Sequence, residues 1–189
     1  MFIQTEATPN PATLKFLPGT PVLERGTADF PDEAAAERSP LAQRLFAIEG
    51  VSGVFLGTEF ISVTKDAEKD WQFMKPLVLS AVMDHFTQGE PVLLDAGDDA
   101  GDDVGNGAGE DGDDGPATRI KELIETRVRP AVMQDGGDIV FHGFEDGIVY
   151  LRMQGACSGC PSSTVTLKHG IENMLRYYVP EVSEVRAVE

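Results

Sequence analysis

The sequence predicts an α+β protein: two small α/β-type domains joined by a disordered acidic linker. Three observations predict it. The first is a break in composition, since residues 95–116 (DAGDDAGDDVGNGAGEDGDDGP) hold nine acids, no base and one aliphatic side chain larger than alanine, Val104. Such a stretch cannot bury enough apolar surface to offset its ordering entropy. The second is that short alternating runs and helical stripes occur on both sides of it, so each flank has strands and helices of its own. The third is length, because 189 residues suit two small domains. The boundaries are therefore 1–94, 95–116 and 117–189. A flexible coil as long as the linker would span about 25 Å root-mean-square, and self-repulsion lengthens it. A calcium site built from its acids lacks the ligand spacing and closing glutamate of an EF-hand loop.

In the first domain, residues 2–6 (FIQTE) and 13–17 (TLKFL) read as strands around a TPNP turn. Ser39-Pro40 starts a short amphipathic helix through Leu41, Leu45, Phe46 and Ile48. Residues 54–63 (VFLGTEFISV) form two short strands around Gly57-Thr58. A longer helix follows, with Met74, Leu77, Val78, Ala81, Val82 and His85 on its inward face, stopped by Gly89 and Pro91. His85 is expected to be a satisfied histidine at the core edge, and Trp71, opening the helix, to pack. The domain holds no repeat and no catalytic constellation.

In the second domain, 117–132 is helical, with Ile120, Leu123, Ile124, Val128 and Ala131 on one face, and Pro130 should kink or split it. Asp135-Gly136-Gly137-Asp138 suits a helix cap and entry into a strand. Strands at 138–144 and 148–153 are joined through Glu145-Asp146-Gly147, a hairpin signal. A helix from about Ser163 carries Val165, Leu167, Ile171, Met174, Leu175 and Tyr178 as its stripe, and 182–188 supplies a last strand. The order is α-β-β-α-β.

The net charge is −17, and more than half of the excess lies in the linker. Nucleic acid and anionic membrane would both be repelled, so neither is an expected partner. No run reaches the ~18 consecutive apolar residues of a membrane helix. The start, MFIQTEATPN, has neither the basic and apolar regions of a secretory signal nor the arginines of a transit peptide, which predicts a reducing cytoplasm.

Between the second strand and the last helix of the C-terminal domain lies GACSGCPSSTV, residues 155–165, with the only two cysteines of the chain, Cys157 and Cys160. In a reducing compartment one CxxC argues for metal or redox chemistry over a structural disulfide. The loop runs into a helix N-terminus, where unpaired N–H groups and the helix dipole favour a thiolate or an anionic metal–thiolate group. Gly155, Gly159 and Pro161 shape the loop. Four uses are open. A dithiol/disulfide oxidoreductase also places CxxC between strand and helix, although in a mostly parallel sheet. A zinc-binding interaction module needs two more ligands, and His142 and His169 lack ligand-like spacing. Two cysteines that merely pack fit poorly with a polar Gly-Ser loop. An iron–sulfur cluster takes four thiolates, which a two-fold dimer would supply.

The sequence 128–175, VRPAVMQDGGDIVFHGFEDGIVYLRMQGACSGCPSSTVTLKHGIENML, with its RPxxxxDGGD and GxCxxCPSS elements, resembles the NifU-like (Nfu) iron–sulfur carriers in their C-terminal NifU domain. MFIQTEATPNPATLKFLPG, VFLGTEFISVTK and the later WxxxKP are similar to the Nfu N-terminal domain. The resemblance implies a carrier rather than an enzyme, with a [4Fe–4S] cluster shared between two protomers through Cys157 and Cys160. It implies a homodimer when loaded, and delivery to apo iron–sulfur enzymes such as aconitase or radical enzymes. Other cluster assembly proteins are the remaining expected partners, contacted through the N-terminal domain, which has no cysteine. The scaffold and ferredoxin-like domains of full-length NifU have no counterpart in this sequence, so carriage is implied rather than assembly. Mitochondrial members begin with a transit peptide, whereas this sequence begins at the domain, and a bacterial cytoplasm is expected.

Overall fold

The computed structural model describes residues 2–94, 115–158 and 161–188. The chain divides into two compact units, Met1–Gly101 and Asp102–Glu189. In the first, the alternating runs pair into one antiparallel sheet: β1 (Gln4–Ala7), β2 (Thr13–Leu17), β3 (Ala28–Phe30), β4 (Val51–Leu56) and β5 (Ile61–Lys65), in the order β1-β2-β5-β4-β3. Helices α1 (Pro40–Phe46) and α2 (Trp71–Gln88) contribute to its core. The core is built from Phe16, Phe30, Leu41, Leu45, Leu56, Ile61, Val78 and Val82, among others.

Local chemistry sets the ends of these helices. Ser39 is fully buried; its Oγ accepts from the Ala42 N–H at 3.1 Å and donates to the Val92 carbonyl at 2.7 Å. One hydroxyl thus caps α1 and ties down the segment after α2. Asp70 caps α2 through the Gln72 N–H at 2.9 Å, and Gly89 ends it in the left-handed region at φ 68°.

Within this unit the structure departs from the expected pattern at two short elements and at two side chains of α2. The strand β3 and a 3₁₀ turn at Ala35–Arg38 were not predicted; at three and four residues they are too short to show a period. Leu77 is 55% exposed, because the buried line of α2 is the narrower Met74–Val78–Val82–His85 series. His85 is fully buried, and neither ring nitrogen has a hydrogen-bond partner. The nearest carboxylate, Glu90, stands 3.7 Å from Nδ1.

In the second unit the expected single helix is three pieces: α3 (Pro116–Leu123), a π-helical turn (Ile124–Val128) and α4 (Arg129–Gln134). Pro130 has no N–H to offer the Thr126 carbonyl. Ile120, Ile124, Val128 and Val132 recur every four residues and are all buried. Around a regular α-helix that series would drift by about 40° per step, and the wider π turn absorbs the drift. Pro116 opens α3, although it was assigned to the linker; residues 95–114 of that assignment lie outside the described residues.

The strands β6 (Gly137–Glu145) and β7 (Ile148–Gly155) form the expected hairpin. Asp146 and Gly147 both have positive φ, 51° and 79°, as a type I′ turn requires. From β7 the chain passes through α5 (Pro161–Tyr178) to β8 (Glu184–Val188), which lies parallel to β7. The sheet order is β6-β7-β8. Ile139, Val149, Leu151, Ile171, Leu175 and Val185 fill the core with the α3–α4 line. Val165 and Tyr178, expected in the buried stripe of α5, are 53% and 37% exposed. Among the described residues no helix is long and apolar enough to cross a membrane.

Burial first, and the Arg44 charge second, hold the His85 imidazole below its ordinary value, against a smaller opposing pull from Glu90. Unfolded, the ring titrates near pH 6.5 (about the model-peptide value), so below that pH the unfolded chain binds more protons than the folded one. This part of the stability is complete above pH ~6.5 and is lost as pH falls from there towards the folded value, by about 1.4 kcal/mol per unit between the two. Urea denaturation at pH 7.5 and 5.5 should show a larger fall in midpoint for the wild type than for His85→Leu.

Candidate metal centre around Cys157

The loop that carries Cys157 is seated on the turn between α4 and β6. That turn closes through the Asp135 N–H to the Val132 carbonyl and the Gly136 N–H to the Met133 carbonyl, both 3.1 Å, with Gly136 at φ 81°. The Gly136 carbonyl then accepts from the Ala156 N–H at 3.2 Å, stitching the turn to the loop beyond β7. Gly137 stands opposite Gly155 in the ladder. A Cβ at Gly137 would lie 2.7 Å from the Cys157 sulfur and 2.7 Å from the Gln154 carbonyl oxygen. The first glycine therefore supplies backbone conformation and the second supplies room.

Cys157 itself is a free thiol, 7% exposed, within the core cluster. Its carbonyl accepts from the Thr164 hydroxyl at 3.2 Å, and the loop tightens through the Ser158 N–H to the Gly155 carbonyl at 3.0 Å. The cysteine is thus held from β6, β7 and α5 together.

Beneath it lies a buried ion pair. Asp138 is fully buried; it accepts from Arg129 Nε at 2.9 Å and Nη2 at 2.8 Å, one to each oxygen, and from the Ile139 N–H at 2.8 Å. This is the bidentate geometry in which guanidinium and carboxylate match best. Glu125, one turn earlier, meets the same arginine at 3.2 Å and 3.3 Å. Asp138 foremost holds the Arg129 guanidinium above its ordinary value.

The electrostatics of the sulfur follow. Burial, then the Asp135 and Asp138 charges, push the Cys157 thiol up to about 12. At neutral pH the bare site holds S–H, the reverse of the depressed thiols that attack disulfides. A soft cation can take the place of that proton, and its charge offsets the nearby carboxylates; thiolate donors suit iron or zinc. The donor fits a metal–thiolate cargo, with the remaining ligands to be found elsewhere. Among the described residues no group of three or more His, Cys, Asp or Glu could hold a metal ion. His142 and His169 are both exposed. Cys160 and Gly159 lie outside the described residues, and Pro161 is the first residue of α5.

Arg129 is the site residue that sequence reasoning missed. Nine residues separate it from Asp138, a spacing that belongs to neither helix nor strand, because the pair spans a helix–strand junction. The available signal was a charged residue at each edge of the RPxxxxDGGD element.

Residues 3–89 match the family model described as scaffold protein Nfu/NifU N-terminal, and residues 120–186 match that of the NifU-like domain. The chain is 53% identical over 189 residues to the human NFU1 iron-sulfur cluster scaffold homolog, mitochondrial, covering all of this chain and 72% of that protein. It is 54% identical over 187 residues to NifU-like protein 4, mitochondrial, of Arabidopsis thaliana, covering 98% of this chain and 65% of that one. The chain also spans 65% of the Drosophila sechellia relative, just under two-thirds of its length. The solution structure of a NifU-like protein from Saccharomyces cerevisiae aligns over 49% of this chain and 84% of that one, with 28% identity and a TM-score of 0.43. The expected bacterial cytoplasm is overturned by these names, which are those of mitochondrial proteins. Targeting segments lie apart from the fold they deliver, so the first residues of a sequence that opens on its domain were no guide to compartment.

Removing Arg129 takes the guanidinium away from the fully buried Asp138 carboxylate, which costs about 3–5 kcal/mol. Arg129→Ala should lower the unfolding free energy of the C-terminal transition, read from urea denaturation, by about 3–5 kcal/mol, with the N-terminal transition unmoved. Gly137→Ala should displace the Cys157 sulfur and weaken thiolate binding of Co²⁺, read from its charge-transfer absorption, by tenfold or more.

Proposed function

The chain belongs to the family of Nfu/NifU iron–sulfur cluster scaffold proteins, and we propose from this that it carries a [4Fe–4S] cluster between two copies of itself and delivers it to apo-enzymes. The observation that carries the reading is the Cys157 sulfur, fixed on the glycine floor of the α4–β6 turn at the approach to α5. One chain has two cysteines, Cys157 and Cys160. A cubane cluster takes four thiolates, and a two-fold dimer brings four to one place. The cluster is cargo, held by Cys157 and Cys160 of each protomer.

Release proceeds by ligand exchange. At each step one iron–sulfur bond to the carrier breaks and one to an acceptor cysteine forms, while the proton of the incoming thiol passes to the departing thiolate. No electron changes hands, and the carrier is recovered unaltered. Acceptors are apo iron–sulfur enzymes such as aconitase or radical enzymes. The N-terminal unit, with no cysteine of its own, contacts these clients or other assembly proteins. The setting we propose is the mitochondrion, a reading supported by the names of the relatives. A dithiol oxidoreductase is disfavoured by the burial of Cys157 and by its raised thiol pKa, although β7, α5 and β8 form a parallel crossover. A zinc module is disfavoured by the exposed, dispersed histidines.

Anaerobic reconstitution followed by native mass spectrometry tests the reading. The expected product is a dimer heavier than two chains by four irons and four sulfides, absent in Cys157→Ala and in Cys160→Ala. A zinc-loaded monomer, or a monomer that only cycles between dithiol and disulfide, would contradict it.

A further inference from the structure

Away from Cys157, the C-terminal unit carries a second constellation that cluster carriage does not use. A shallow groove of about 360 Å³ is lined by Arg119, Glu122, Leu123, Thr126, Arg127 and Tyr178. Arg119 Nη2 donates to the Tyr178 carbonyl at 3.0 Å and so closes the C-terminal end of α5. The Arg127 guanidinium lies 4.9 Å from the centre of the Tyr178 ring. Tyr177, 80% exposed, meets Tyr178 edge-on with ring centroids 5.0 Å apart.

Two features set this groove apart. Arg129, Arg176 and Arg186 each pair with a carboxylate, whereas among the described residues Arg119 and Arg127 have none, although Glu122 lines the same groove. Among the described residues Arg127 meets the Tyr178 ring and spends none of its five N–H donors on a hydrogen bond, and Arg119 spends one. The backbone between them is also unusual. Eight residues apart, they would stand about 80° apart around a regular α-helix; the π turn at Ile124–Val128 brings them nearer to one line. A fork of guanidiniums beside exposed tyrosines is the composition that carries binding energy at protein interfaces.

We propose that this groove docks an acidic segment of a protein partner, its carboxylates bridging Arg119 and Arg127 and an adjoining apolar side chain resting on Leu123 and the tyrosine pair. Charge complementarity selects the occupant: the groove offers two unpaired guanidiniums against one carboxylate, on a unit whose chain is otherwise acidic. The proposal does not depend on the cluster and stands or falls without it. The chain's own run at 95–116 is a competing polyanion, tethered at high effective concentration.

The test uses the full apo chain, labelled with ¹⁵N, titrated with an eight-residue peptide of seven glutamates and one central leucine. The expected result is amide shifts confined to 119–127 and 177–178, absent with the glutamine counterpart of the peptide. Arg127→Gln should weaken binding at least fivefold, and Arg127→Lys should restore only part of it, since a lysine keeps the charge without the planar fork. Tyr177→Ala, at an 80% exposed position, serves as a second variant that leaves the fold intact and should weaken binding at least twofold. Shifts spread over the other basic residues, equal response to the glutamine peptide, or an affinity indifferent to Arg127→Gln would overturn the proposal. A variant with Asp102, Asp103, Glu110, Asp111, Asp113 and Asp114 changed to amides separates the competitor. If that change alone, with no peptide present, moves the groove resonances, the occupant is the chain itself and a partner is ruled out. Unmoved resonances support the partner.

Discussion

A carboxylate sealed from water governs the C-terminal unit. Asp138 cannot be solvated and cannot stand alone, so it must find a cation and hydrogen-bond donors inside the protein. Arg129 and the Ile139 N–H supply them. Because Arg129 opens α4 and Asp138 is the second residue of β6, their pairing fixes the angle at which helix becomes strand. The two glycines of that turn are then placed rather than loose. One provides the left-handed residue that ends α4, and the other becomes the floor on which the Cys157 sulfur rests. The loop above inherits its position from a charge pair that touches no metal.

The two units divide the chemistry unevenly. The N-terminal unit is a five-stranded antiparallel sheet with two helices and no sulfur ligand, and its buried polar groups serve its own closure, as Ser39 does by joining α1 to the segment after α2. The C-terminal unit holds both cysteines. Its parallel pairing of β7 with β8 forces a crossover through α5, and the CxxC occupies the start of that crossover. Its first cysteine, Cys157, is anchored in the core cluster.

Much of this was legible because the responsible signals are local. The Asp146-Gly147 turn, the Ser39-Pro40 start and the Gly89 stop each depend on a backbone requirement that few residues meet, and each lies where the sequence places it. What escaped depends on pairing across elements. Arg129 and Asp138 meet at a junction with no periodicity, and Leu77 shares the spacing of the buried line but sits beside it. The π turn was not legible either: Leu123 and Ala131 supply the three-residue intervals of an ordinary helix, and only burial singles out the line 120, 124, 128 and 132. Compartment was not legible, since a fold is indifferent to the address that delivers it.

The proposed carrier holds its cluster between two chains in order to pass it on. The most direct measurement is the recovery of activity of an apo-aconitase mixed anaerobically with the loaded protein in the presence of an excess of iron chelator. Activity that appears in proportion to the cluster supplied, faster than with equal free iron and sulfide and undiminished by the chelator, is the predicted result. Activity abolished by the chelator would mean that iron leaves through solution, and the protein would then be a binder of clusters rather than their carrier.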